Sequence, residues 1–187
     1  MSKKGNLENT SSKNSLVVII AIPVILLIAL IAFSSVTPKI PDKMNLEVKD
    51  LNDQVLSTKN YSGNYIIIEF MATWCSTCEQ ITDSITSLYK ENQVPSDVIF
   101  MSISIDPTHD VPKVVNKYIT DHNLTELVTQ GKWVFGRDVD KNSLTYKVST
   151  IPTLFLLGKD LKILDQQIGL ITKAGLSNWI NETQTLK

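Results

Sequence analysis

The sequence predicts an α/β sandwich around a central mixed sheet, with one membrane-spanning helix ahead of it. Three observations lead there. From Met44 onward, β-branched apolar runs alternate with stretches of helical periodicity. A long run without any charge, Leu16 to Val36, lies near the start of the chain. The cysteines Cys75 and Cys78 stand where a strand pattern turns into a helix pattern.

Residues 1–15 are polar and carry Lys3, Lys4 and Lys13 against Glu8. The uncharged run 16–36 follows; at about 1.5 Å per residue it spans roughly 30 Å, the thickness of a bilayer's hydrocarbon core. A buried helix of a globular protein would show a polar face, and this run has none. Pro23 inside it is compatible with a membrane helix. The basic flank places residues 1–15 in the cytoplasm and the remainder outside, as a single-pass protein of the cell membrane. A cleaved signal peptide is the alternative, but its apolar region would be only about 7–15 residues long. Thr37 to Lys43, with Pro38 and Pro41, reads as a short extended linker, leaving 44–187 as the folded, extracytoplasmic domain.

Within that domain Met44–Val48 reads as a short strand, with a turn at Asn52-Asp53 into Gln54–Ser57. Tyr65–Ala72 is the central strand and Thr77 to about Asn92 a helix, with Ile81, Ile85, Leu88 and Tyr89 on one face. Val98–Ile105 is a second core strand, ended by Asp106-Pro107. Val111–Asp121 is a helix with Val114, Val115, Tyr118 and Ile119 inward. Trp133-Val134-Phe135 is extended and leads into a helix through Leu144 and Tyr146. Thr153–Leu157 and Lys162–Gln167 form a hairpin around Gly158-Lys159-Asp160. Thr172 caps a last helix that turns Leu176, Trp179 and Ile180 inward, with Ile171 as its staple.

Composition narrows the function. Of 187 residues, 43% are hydrophobic and 20% charged, which suits one globular domain. A net charge of −1, with Arg137 the only arginine, gives no electrostatic case for nucleic acid. Chemistry concentrates at Cys75-Ser76-Thr77-Cys78. Positions i and i+3 share a helix face, so the two sulfurs can reach bonding distance. A helix N-terminus favours a thiolate on the first cysteine. Such a pair is a dithiol–disulfide device; as a static staple it would gain little, because the loop it closes is so short. Glu69 interrupts the apolar run of the central strand, and burial there raises a carboxyl's pKa.

The segments Glu69-Phe70-Met71-Ala72-Thr73-Trp74-Cys75-Ser76-Thr77-Cys78 and Val148-Ser149-Thr150-Ile151-Pro152-Thr153-Leu154-Phe155-Leu156 resemble the thioredoxin superfamily. With the long insertion between the Val98–Ile105 strand and the second segment, they are most similar to its membrane-anchored TlpA/ResA-like members. The resemblance implies a thioredoxin-like three-layer sandwich and a thiol–disulfide oxidoreductase. It implies Cys75 as nucleophile, Cys78 as resolving thiol, and Glu69 as an acid that exchanges a proton with Cys78. It also implies a cis Pro152 facing the disulfide, with Ile151 pairing to an extended substrate and Trp74 as a platform beside Cys75. No cofactor or metal is needed beyond the redox-active disulfide. The implied partners are a disulfide-containing exported protein, such as apocytochrome c, and a membrane electron donor of the thiol-relay type. The dipeptide Ser76-Thr77 departs from the better-known subfamilies, so a disulfide-forming oxidant or isomerase stays open as an alternative. A Sco-like copper delivery protein is another, but those use two cysteines three residues apart and a histidine near 148–152. This chain has only His109 and His122.

Overall fold

The computed structural model describes residues 40–185. The expected tail, the membrane helix and residues 37–39 of the linker lie outside the described residues. Among the described residues no helix is long and apolar enough to cross a membrane.

Seven strands among the described residues form one sheet: β1 (Glu47–Lys49), β2 (Val55–Ser57), β3 (Tyr65–Met71), β4 (Val98–Ser104), β5 (Trp133–Arg137), β6 (Thr153–Leu157) and β7 (Ile163–Ile168). Among the described residues four α-helices accompany them: α1 (Ser76–Lys90), α2 (Pro112–Asp121), α3 (Thr125–Thr129) and α4 (Lys173–Thr185). The spatial order is β2-β1-β5-β4-β3-β6-β7. β4 runs parallel to both β3 and β5, while β6 is antiparallel to β3 and to β7. The sheet is therefore mixed, as the alternating pattern predicts.

β3 lies between β4 and β6, and every residue in it is buried. A strand covered on both faces reads as a near-continuous apolar run, which is why Ile66-Ile67-Ile68 does not alternate. Its side chains still divide by parity. Tyr65, Ile67 and Met71 join a core with Cys78, Ile81 and Ile85 of α1, and α2 and α4 add Tyr118 and Trp179 to it. Ile66, Ile68 and Phe70 join a second core on the other face, with Met44, Leu46 and Tyr146.

Among the described residues that second face is covered by extended chain and short turns, with no long helix. The helix predicted through Leu144 and Tyr146 is a 3-10 turn, Asn142–Tyr146, bounded by left-handed Lys141 (φ 57°) and Lys147 (φ 56°). The carboxylate of Asp138 accepts from Asn142 N and Ser143 N at 2.7 and 2.8 Å, which satisfies the turn's first donors and fixes where it starts. The first strand begins at Glu47, three residues later than expected, because Met44 pairs with Leu161 outside the strand ladder. α3 has no buried residue, so no apolar periodicity announced it.

The last helix starts as predicted. Gly175 N donates to Thr172 Oγ1 at 3.2 Å, and Ile171 is buried against the same core as Leu176 and Ile180. In β5, Gly136 leaves room for side chains of β1, β4 and β2: a Cβ there would lie 2.8 Å from Val48 Cγ2, 2.9 Å from Ile103 Cδ1 and 3.0 Å from Leu56 Cδ2. Gly136→Val should therefore cost about 1–3 kcal/mol of stability by overpacking, measurable as a lower urea midpoint.

Candidate active site

β3 ends at Met71 and the chain reaches Cys75, the residue before α1, four residues later. Cys75 is the N-cap of α1, in extended conformation, and its Sγ accepts from Cys78 N at 3.2 Å. The two sulfurs are joined in a disulfide, with the Cα atoms 5.2 Å apart. Cys75 is half-buried, whereas Cys78 is wholly enclosed within the core under α1. A substrate can reach one sulfur only. A thiolate formed at Cys75 would sit against the free N–H groups of the helix start.

The loop before Cys75 is held from across the fold. Asp110, fully buried, accepts from Thr73 N at 2.9 Å, from Thr73 Oγ1 at 2.5 Å and from Ser104 Oγ at 2.6 Å. His109 Nδ1 lies 2.8 Å from the same carboxylate. Asp110 thus ties the approach to Cys75 to the end of β4. Nothing in the sequence announced it, since Thr73 is 37 positions away. Trp74 is 58% exposed and donates its indole N–H to Asp106 at 3.0 Å. The indole and the Thr108 hydroxyl hold the Asp106 carboxyl below its usual range.

The Ile151–Pro152 peptide bond is cis. Pro152 O accepts from Gly169 N at 2.8 Å, and Thr153 Oγ1 donates to Thr150 O at 2.8 Å, so the turn is fastened on both sides. Ile151 and Cys75 are both half-buried and pack against the same core.

Glu69 lies between Ile67 and Met71 on the α1 face of β3, and it is 1% exposed. Its Oε2 accepts from Ser102 Oγ at 3.3 Å, and Ser102 Oγ accepts from Trp133 Nε1 at 3.0 Å. Its Oε1 is buried without a protein partner. Burial pushes the carboxyl up to about 8, with the Ser102 hydrogen bond acting in the opposite direction.

Among the described residues, no three His, Cys, Asp or Glu side chains converge as a metal site. His109 is engaged with Asp110. His122 caps the C-terminal end of α2, its ring tilted at 42° against that of Tyr118 with the centroids 4.2 Å apart, near Glu79 and Asp83.

Two outcomes test this geometry. Asp110→Ala leaves Thr73 N and Ser104 Oγ without their acceptor in a buried setting; the expected loss is about 2–4 kcal/mol in urea unfolding, with slower reaction at Cys75. For Glu69, the unfolded carboxyl ionises near 4.5 and the folded one near 8. Between those values the folded state binds one proton more, so stability falls as pH rises through that window. Glu69→Gln removes that dependence. The variant should gain on the wild type between pH 5 and pH 8 by on the order of a few kcal/mol, read from urea midpoints at the two values.

The AhpC/TSA family model matches residues 37–166, a span that holds Glu69, both cysteines and Pro152. The thiol-disulfide oxidoreductase ResA of Bacillus thuringiensis is 28% identical over 139 residues, 74% of each chain. The crystal structure of StoA from Bacillus subtilis aligns with a TM-score of 0.56 at 22% identity, over 74% of this chain and 98% of that one. Copper-bound ScoI of Arabidopsis thaliana aligns with a TM-score of 0.63 at 14% identity, over 79% and 100%. These two likenesses show the shared thioredoxin-like α/β fold and carry no chemistry by themselves. With more than half of its length and the whole disulfide site inside the matched span, the chain belongs to the AhpC/TSA family.

Proposed function

We propose that this protein reduces disulfide bonds of exported proteins from an anchored position on the outer face of the cell membrane. It is a protein-disulfide oxidoreductase, and the observation that carries this is the Cys75–Cys78 disulfide at the start of α1, with one sulfur reachable and the other enclosed. In the reducing direction the Cys75 thiolate attacks a substrate disulfide, forming a mixed disulfide and releasing one substrate thiol. Cys78 gives up its proton and attacks the Cys75 sulfur; the second substrate thiol leaves. Two electrons and two protons pass to the substrate, and the Cys75–Cys78 disulfide returns.

Glu69, buried on the same face as Cys78, is the group proposed to take that proton. Ile151 and the cis Pro152 are the proposed docking edge for an extended substrate, and Trp74 flanks it. Apocytochrome c is the leading substrate by family resemblance. The anchor is the uncharged run 16–36, oriented by Lys3, Lys4 and Lys13. Outside the cytoplasm the dithiol must be recharged, so the proposal includes a membrane donor that passes reducing equivalents to Cys75–Cys78.

Single cysteine variants test the assignment. With an oxidised disulfide-containing protein as probe, Cys78→Ser should accumulate a mixed disulfide through Cys75, and Cys75→Ser should form none. Equal trapping through both, or through neither, would contradict the division of labour.

A further inference from the structure

Ser102 and Trp133 have no part in the chemistry described so far. Ser102 is the register partner of Glu69 on β4, and Trp133 stands on β5 beyond it; both are buried on the face that α1 covers. An indole N–H can only donate, so Trp133 fills one lone pair of the Ser102 oxygen. The single hydroxyl proton of Ser102 then remains for Glu69 Oε2, at 3.3 Å. Three strands thus supply a hydrogen-bond chain with one direction, ending on one oxygen of one carboxyl. The other oxygen, Oε1, has no protein partner.

We propose that Trp133 and Ser102 are positioning residues for proton transfer: they pin Glu69 Oε2 as an acceptor and reserve Oε1 for exchange with the Cys78 thiol. The inference rests on the reading of Glu69 given under the proposed function. In the resolving step Oε1 takes the proton from Cys78. The Cys78 thiolate forms its bond to the Cys75 sulfur, and the substrate sulfur departs with the electron pair and takes up a proton.

The surroundings leave few competing charges. From α2, Tyr118 faces the carboxyl, and its hydroxyl shares a hydrogen bond of 2.8 Å with Thr82. From α1 comes Cys78; Glu79 and Asp83 on that helix point outward to His122. β6 offers only Leu154 and Leu156, and α4 offers Leu176, Trp179 and Ile180.

The test is a carbon-13 titration of the Glu69 carboxyl in the oxidised full-length protein, where neither cysteine titrates, paired with the pH profile of disulfide reduction. Glu69→Gln identifies the signal and should remove the corresponding inflection from the profile. Ser102→Ala should move the midpoint upward by about one pH unit or more, because the carboxylate loses its donor. The inflection in the rate profile should move with it. Trp133→Phe should shift both in the same direction by less, and Ser102→Thr, which keeps the hydroxyl, should return them to the wild-type values. An unmoved midpoint in Ser102→Ala, or in Trp133→Phe should the first variant not fold, would overturn the relay while leaving Glu69 in its role. An inflection that survives Glu69→Gln would overturn the relay together with the reading of Glu69 on which it rests.

Discussion

β3 is closed off from water along its whole length, with β4 and β6 on its edges and a core on each face. Burying an isoleucine or phenylalanine side chain contributes roughly 1.5–3 kcal/mol, and this strand buries Ile66, Ile67, Ile68 and Phe70 side by side. Such a strand cannot shift by one residue without turning both faces inside out. What it carries at its end is therefore placed by the whole core. Cys75 follows it, Cys78 lies one helical turn further on, and Glu69 sits within it. An ionisable group can be kept at so apolar a position because the strand has nowhere else to put it.

The opposite side of the site depends on polar contacts. Asp110 concentrates donors from Thr73, Ser104 and His109 on one enclosed carboxylate, and so joins the β3–α1 loop to the β4–α2 loop. Trp74 is left projecting, fixed at its indole nitrogen alone. The result is an asymmetric dithiol: a hydrophobic, immobile seat for Cys78 and a polar, accessible rim for Cys75. On the proposed function, that asymmetry is what would give two chemically identical side chains different duties.

Much of this was legible because the relevant signals are local. The apolar run before the cysteines, the i, i+4, i+7 pattern after them and the Thr172 cap all lie within short windows, and each led to the observed element. Glu69 could be singled out as a buried carboxyl since its neighbours are all apolar. The residues that hold the site in place were not legible. Asp110 reads as an ordinary acidic residue in a turn until β4 brings it against Thr73. Ser102 and Trp133 read as strand residues until β4 pairs Ser102 with Glu69 and the Trp133 indole, two register positions off on β5, reaches the Ser102 hydroxyl. The segment through Leu144 and Tyr146 misled: no helical periodicity supports it, and it winds only into a short 3-10 turn whose ends are fixed by Asp138 and by two left-handed lysines. Sequence pattern reports periodicity; it does not report which distant side chain will accept a hydrogen bond.

The most direct measurement is the reduction potential of Cys75–Cys78 in the full-length protein, equilibrated against glutathione or dithiothreitol. The account expects a value near or below about −250 mV, toward the thioredoxin end of the scale, where the dithiol gives its electrons to substrate. A value near about −120 mV would mean that the disulfide is an oxidant, and would reverse the direction of electron flow assigned here.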